Sequence, residues 1–367
     1  MIASPEELAE LLPLLDRSER IAVDTEADSL HCYREKLCLI QISLGEGDYL
    51  VDPLAGNDLS ALASLFTRKE IVLHGADYDL RLLRRGINFQ PGRVFDSAIA
   101  ARMLGEREFS YASLVQKFCG VQLTKGSQKA NWAMRPLSSQ METYARNDTR
   151  YLLPLAGILE KALETRGRME WFRQSCGRAV ASAAIDRERD LSEVWRIRGS
   201  GLVRGREAAV LRSLWSWRDR EAEKADRPAF HILRNEQLLH AAHQAVNGET
   251  PDFRHFSQRR AREFRSAWQS ALDLPESEWP VIERQRGQRP TREMEKVAEQ
   301  MRVRRDAAAQ ELGIEPSFIA PRATIDALAA GKRTPEQSLS PWQFQLLGVP
   351  PAAELDPTAT EQAAVSA

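Results

Sequence analysis

Cysteine is scarce: four occur in 367 residues, at positions 32, 38, 119 and 176. No two have C-x-x-C spacing, and no Cys/His cluster follows a zinc-ligand pattern. A disulfide-stapled scaffold and a zinc module are therefore excluded, and the thiols are read as reduced, in a cytoplasmic protein. Long apolar runs are missing too. None reaches the about 18 residues that a membrane helix needs, so no membrane span is expected. The first residues, with Ser4-Pro5-Glu6-Glu7, have no basic region before an apolar stretch, and no signal peptide is expected. Net charge is nearly absent, with 51 basic and 52 acidic residues summing to −1. That excludes a uniformly basic nucleic-acid coat and an acidic disordered chain. Lysine is rare, 9 against 42 arginines.

What is present is enough for a sizeable core: 43% of residues are hydrophobic. At about 100–200 residues per domain the length suggests two or three domains. Ser4 is placed to cap a helix with Pro5 at its first position. Three β-rich runs follow, around Ile21–Val23, Cys38–Leu44 and Asp48–Val51, the last two joined by Gly45-Glu46-Gly47 as in a hairpin. The pattern then predicts a helix over 58–66, a buried strand Ile71–His74 and a helix from Asp77 to Arg85 ended by Gly86. Further helices are expected at 97–104, 110–119 and 138–164. A meander followed by alternating strands and helices implies a mixed α/β sheet.

Beyond about residue 165 the strand signals stop and the periodic segments are helical. Gly199-Ser200-Gly201 reads as a boundary, and 274–280 and 286–290 as linkers or breaks. Residues 351–367 lack a core pattern and are expected to be a disordered tail. Charge is uneven: residues 1–160 sum to −4, 161–310 to +7 and 311–367 to −4. The middle of the chain is the place for a polyanion to dock, or its arginines only solvate helix surfaces. Trp215 and Trp217 fit a helical core better than a base platform.

Three acidic motifs carry chemistry. Asp24 and Glu26 are two apart at the end of the first strand, so both carboxylates point to one face, as oxygen ligands for a hard cation would. A solvated strand end reads the same way. Asp77 and Asp79 follow the strand that ends at His74, where acids also complement a helix dipole. Tyr144 and Asp148, four apart on a helix, share a face. Met141, Tyr151 and Leu152 suggest that this face is half-buried, where an aspartate needs a partner or a metal.

In this order, D-x-E, D, then Y-x-x-x-D, the motifs resemble the DEDD exonuclease superfamily in its tyrosine-bearing branch, and within it the ribonuclease D family. Val23-Asp24-Thr25-Glu26, Leu39-Ile40-Gln41-Ile42, Val94-Phe95-Asp96-Ser97 and Trp132–Leu137 look like family segments. The resemblance covers residues 1–200. Residues Leu202 to His243, with Leu214–Arg218 and His231–Glu236, are similar to an HRDC domain, and a weaker HRDC-like unit covers 291–350. Asn131 stands where the family often has an aspartate.

The resemblance implies an α/β ribonuclease H-like exonuclease domain with a trailing linker helix over 1–200. All-α HRDC-type domains would follow over 201–285 and 286–350. It implies a 3′–5′ exoribonuclease that uses two Mg²⁺ or Mn²⁺ ions about 3.5–4 Å apart and releases 5′-mononucleotides. Asp24, Glu26 and Asp148 would hold the metal that activates water. Asp24 would bridge to a second metal supported by Asp79. Tyr144 would orient the water, and Glu26 would also meet the terminal 3′-OH. The implied substrate is RNA, as tRNA precursors with single-stranded 3′ ends, acted on by a monomer. His74 has either a substrate role or a hydrogen-bonded place at the strand end. Trp132 either stacks a base or packs in the core, and Lys125, Lys129 and Arg135 are candidate phosphate contacts. A DNA exonuclease of the same chemistry and a non-catalytic RNA-binding protein remain alternatives.

Overall fold

The computed structural model describes residues 1–124, 126–185, 190, 192–281 and 290–348. Helix α1 (Pro5–Arg17) starts where the sequence signals it. The Ser4 hydroxyl accepts from the Glu7 N–H, and the Glu7 carboxylate accepts from the Ser4 N–H. Each bond satisfies an amide that a helix start leaves unpaired.

Strands β1 (Arg20–Ala27), β2 (Leu37–Ser43) and β3 (Asp48–Val51) follow. Then come α2 (Ser60–Arg68), β4 (Glu70–Leu73), α3 (Asp77–Ile87), β5 (Arg93–Asp96), α4 (Ser97–Met103) and α5 (Tyr111–Cys119). The sheet order is β3-β2-β1-β4-β5. β4 runs parallel to β1 and β5, and β3 is antiparallel to β2. This is the mixed α/β sheet expected. β5 was not anticipated: its four residues carry no alternation and lean on β4 for their pairing.

Two helix boundaries differ from expectation. α3 does not stop at Gly86 but runs to Ile87, and Asn88 ends it with a left-handed φ of 53°. Gly86 is needed for packing instead, because a Cβ there would lie 2.6 Å from Leu37 Cδ2. The stretch 138–164 is two helices, α6 (Ser139–Arg150) and α7 (Leu152–Thr165), broken at Tyr151. The Tyr111 hydroxyl holds the break, donating to the Asn147 carbonyl at 3.1 Å and accepting from the Tyr151 N–H at 3.2 Å.

After α8 (Met169–Ala184) come α9 (Gly205–Lys224), α10 (Ala229–Ile232), α11 (Asn235–Val246) and α12 (Gln258–Leu272). The last helices are α13 (Arg292–Leu312), α14 (Pro316–Ile319), α15 (Arg322–Ala329), α16 (Pro335–Ser338) and α17 (Pro341–Leu347). Two compact units result. Among the described residues, one joins Met1–Glu26, Leu37–Ile185 and 290–348; the other joins Ala27–Lys36 with 190 and 192–281.

The final helices are thus part of the first unit rather than a body of their own. Trp342 is buried, stacks on Trp171 with ring centroids 5.3 Å apart, and donates Nε1–H to Ser175 Oγ. Arg178 donates to the Gln337 and Leu339 carbonyls. One core runs from Ala22 and Phe95 through α4, α7 and α8 to Ile319, Ile325 and Leu347. The second unit has its own core, in which Trp217 packs against Phe256 and Phe264, as the core reading of that tryptophan anticipated. The expected tail, 351–367, and most of the 286–290 break lie outside the described residues.

Candidate active site

β1 ends with Val23-Asp24-Thr25-Glu26, and strand alternation sends Asp24 and Glu26 to one face and Thr25 to the other. α6 crosses that first face and brings Asp148 to the pair. Among the described residues, Asp24, Glu26 and Asp148 each offer an oxygen lying within 4.8 Å of the others. α6 is pinned to the sheet one residue beyond Asp148. Thr149 Oγ1 is 2.7 Å from Ser43 Oγ, which donates to Asp48, and Asp48 pairs with Arg150.

Asp79 arrives from the other side. It lies in the first turn of α3, is buried, and accepts from the Thr25 hydroxyl and backbone N–H. The fourth acid is therefore tied to the residue between the first two and stands outside the group of three. It remains near enough for its charge to act on Asp24. Asp77 does not cap α3; it pairs with Arg81 at 3.0 Å.

Four acids confined in one buried place disfavour ionisation. Burial, then the charges of Asp148 and Asp79, push Glu26 up to about 9. Burial raises Asp148 to about 7 and Asp79 to about 6. Asp24 goes well above the ordinary carboxylate range, from burial first and then from Asp79, Asp148 and Glu26. Removal from water costs the charged form, and like charges add to that cost. A divalent cation offsets both, and three converging carboxylates are the oxygen donors a hard cation takes. The residues present fit such an ion.

The Tyr144 hydroxyl donates to Asp148, and burial beside three acids raises its pKa above the ordinary phenol value. The phenol is neutral at pH 7: a donor, not a base. The loop between α5 and α6 passes over its ring at Gly126, where a Cβ would lie 2.7 Å from Tyr144 Cδ2.

The remaining candidates divide. His74 is half-buried at the end of β4, with Nδ1 2.9 Å from Ser97 Oγ and its ring 5.7 Å from that of Tyr111. This is the hydrogen-bonded strand-end place, and burial lowers its pKa. Trp132 is corrected to a core residue. At 1% exposure, packed with Leu39, Leu50, Leu137 and Ala145, it presents no face for a base to stack on. Arg135 is likewise not available to phosphate. Its guanidinium forms a bidentate pair with buried Asp52 at 2.5 and 2.6 Å and donates to the carbonyls of Trp132 and Cys38. Lys129 is exposed on the α5–α6 loop, and Lys125 lies outside the described residues.

Sequence reasoning missed Asp96. Buried at the end of β5, it accepts from the N–H groups of Gly75, Ala76, Ala98 and Ile99 at 2.8–3.3 Å. It thereby fixes the turn that launches α3 and Asp79. Its place in Val94-Phe95-Asp96-Ser97, an acid directly before a helix, was the available signal.

A family model described as a 3′–5′ exonuclease matches residues 1–164, and an HRDC domain model matches 207–246. A ribonuclease D of Xanthomonas oryzae is 29% identical over 356 residues, 94% of this chain and 95% of that protein. Over most of its length the chain is similar to ribonuclease D proteins. The ribonuclease D of Haemophilus influenzae is 33% identical over 239 residues, 64% of this chain and 60% of that protein. The structure of Escherichia coli RNase D, described as an exoribonuclease involved in structured RNA processing, aligns with a TM-score of 0.71. Its identity is 25%, over 95% of this chain and 96% of that one. A Bifidobacterium adolescentis protein shares the fold, with a TM-score of 0.80 at 24% identity over 95% of this chain and 94% of that one. An exonuclease sheet domain followed by HRDC-type helices is the fold seen here, as in E. coli RNase D, and the chain is a ribonuclease D-like 3′–5′ exoribonuclease.

Proposed function

We propose that this chain removes 5′-mononucleotides one at a time from RNA 3′ ends, with tRNA precursors among its substrates, by hydrolysis at two divalent ions, Mg²⁺ or Mn²⁺. The observation that carries the reading is the convergence of Asp24, Glu26 and Asp148 within 4.8 Å, beside a neutral tyrosine. Asp24, Glu26 and Asp148 would hold one ion, and Asp24 with Asp79 would hold the other. Bound there, the ions supply charge that stabilises the attacking and leaving oxygens together.

The protein groups do the rest. Tyr144, whose hydroxyl proton is engaged by Asp148, aligns the attacking water by accepting a hydrogen bond on its oxygen and keeps its own proton. Glu26, as a carboxylate, would also accept a hydrogen bond from the terminal 3′-OH. Asp79 braces β1 against α3 through Thr25. Lys129, exposed on the α5–α6 loop, would meet backbone phosphates. A monomer suffices, because every candidate ligand comes from one chain.

The test is degradation of a 5′-labelled RNA with an unpaired 3′ tail, in Mg²⁺ or Mn²⁺, against EDTA and Asp148→Asn controls and a matched DNA. A ladder that shortens from the 3′ end of RNA, and vanishes in both controls, is expected. Equal or faster digestion of the DNA would transfer the chemistry to the other polymer. RNA bound but never shortened would sink the hydrolase reading.

A further inference from the structure

Gln41 is completely buried, at 0% exposure, yet neither its Nε2 nor its Oε1 has a hydrogen-bond partner among the described residues. It lies on β2 between two residues that meet α6. Leu39 shares a cluster with Ala145, and Ser43 Oγ is 2.7 Å from Thr149 Oγ1. Its cross-strand partner Leu50 belongs to the same cluster. Strand alternation puts 39, 41 and 43 on one face, so Gln41 points under α6, along the stretch between Ala145 and Thr149 that carries Asp148. β2 is the neighbour of β1, whose Asp24 and Glu26 reach the same helix at Asp148. The amide therefore sits in the layer that holds the three carboxylates.

An amide offers two donors and an acceptor, and burying it unpaired costs about 1–3 kcal/mol. A site packed for stability alone favours Leu or Met at such a position. Buried polar groups that find no protein partner are met by ordered water, which makes two to four hydrogen bonds of its own. The polar groups that β1, β2 and α6 bring to this layer are the carboxylates of Asp24, Glu26 and Asp148 and the hydroxyls of Ser43 and Thr149.

We propose that Gln41 is a positioning residue for the catalytic carboxylates: its amide holds a buried water that spans the floor of the site and orients Asp24 and Asp148. This rests on the hydrolase reading above. Groups that orient metal ligands from behind typically contribute roughly 10–100-fold to metal affinity or rate.

The experiment uses the full chain and three readouts: calorimetric titration with Mn²⁺, kcat and KM on the labelled RNA, and thermal melting. Gln41→Met, nearly isosteric and apolar, is expected to melt at or above the native temperature. It should bind Mn²⁺ about ten-fold or more weakly and lose kcat by a similar factor at unchanged KM. Gln41→Asn withdraws the amide by one methylene and keeps it polar. It should weaken Mn²⁺ binding several-fold at native melting temperature, and it carries the test if the Met variant fails to fold. Either folded variant with native Mn²⁺ affinity and native kcat overturns the proposal. Wild-type protein that binds Mn²⁺ but never shortens RNA refutes the hydrolase reading instead, while the Mn²⁺ titrations still report on Gln41.

Discussion

Glu26, pushed up to about 9, and Asp148, at about 7, hold protons at neutral pH that the unfolded chain gives up near pH ~4. A raised folded value means that the native state binds more protons. The stability these acids lend is complete below about pH 4 and is lost as pH climbs through the folded values. Metal-free protein should therefore melt progressively lower between about pH 5 and pH 9. Mg²⁺ should restore stability, with an increment that grows over the same interval, because the ion replaces the protons. Glu26→Gln should flatten the metal-free profile above about pH 7. An unchanged slope in that variant would assign the titration elsewhere. Tyr144→Phe removes a donor but no charge. It should cost kcat roughly 10²-fold, the lower range for a single positioned proton-handling group, with metal affinity little changed. A Tyr144→Phe enzyme that binds Mn²⁺ poorly would make the tyrosine a ligand-positioning group rather than a water-orienting one.

Among the elements, the α6–α7 break matters most, since it sets the axis on which Tyr144 and Asp148 ride. One hydroxyl, that of Tyr111, satisfies the carbonyl before the break and the amide after it. Tyr111→Phe leaves both unmet, at about 1–3 kcal/mol. It should lower the melting temperature and also reduce kcat, because α6 loses its fixed end. Restored stability without restored kcat, on adding a stabilising substitution elsewhere, would separate the two effects. On the opposite side, Asp96 and Thr25 fix α3, so each acid that the sheet does not carry itself is held by a second polar residue. The site's precision lies in these contacts as much as in its acids.

Over the whole molecule, the sheet domain depends on helices more than a hundred residues beyond it in sequence. Trp342 buries its indole against Trp171 and α8, and Arg168 donates to the Leu312 carbonyl. Trp342→Ala should cost about 3–5 kcal/mol, the range for emptying a core of a large aromatic. The loss should be read in the melting of the exonuclease domain, and hence in its activity at elevated temperature. A variant that melts unchanged would show the final helices to be dispensable to that domain. No helix among the described residues is long and apolar enough to cross a membrane.

How much of this was legible beforehand follows from which forces act locally. Capping at Ser4, alternation in β1 and β2 and the i, i+4 spacing of Tyr144 and Asp148 are short-range effects, so α1, the sheet's first strands and the acids that meet could be read residue by residue. The spacing could not show that Trp132 is enclosed or that Arg135 is consumed by Asp52. An aromatic and a cation look the same in sequence whether they face solvent or core, and only their distant neighbours decide. β5 was invisible because four residues borrow their strand state from β4. Gly86 misled because its missing side chain serves Leu37, forty-nine positions away, rather than the end of its own helix. Residue types and short spacings carry the chemical character of the site, carboxylates beside a tyrosine, and that much was readable without the fold. Tertiary structure alone decided which acids converge and that Asp79 braces from behind. It also decided that the last helices complete the first unit, because burial and long-range packing exist only once the chain has closed on itself.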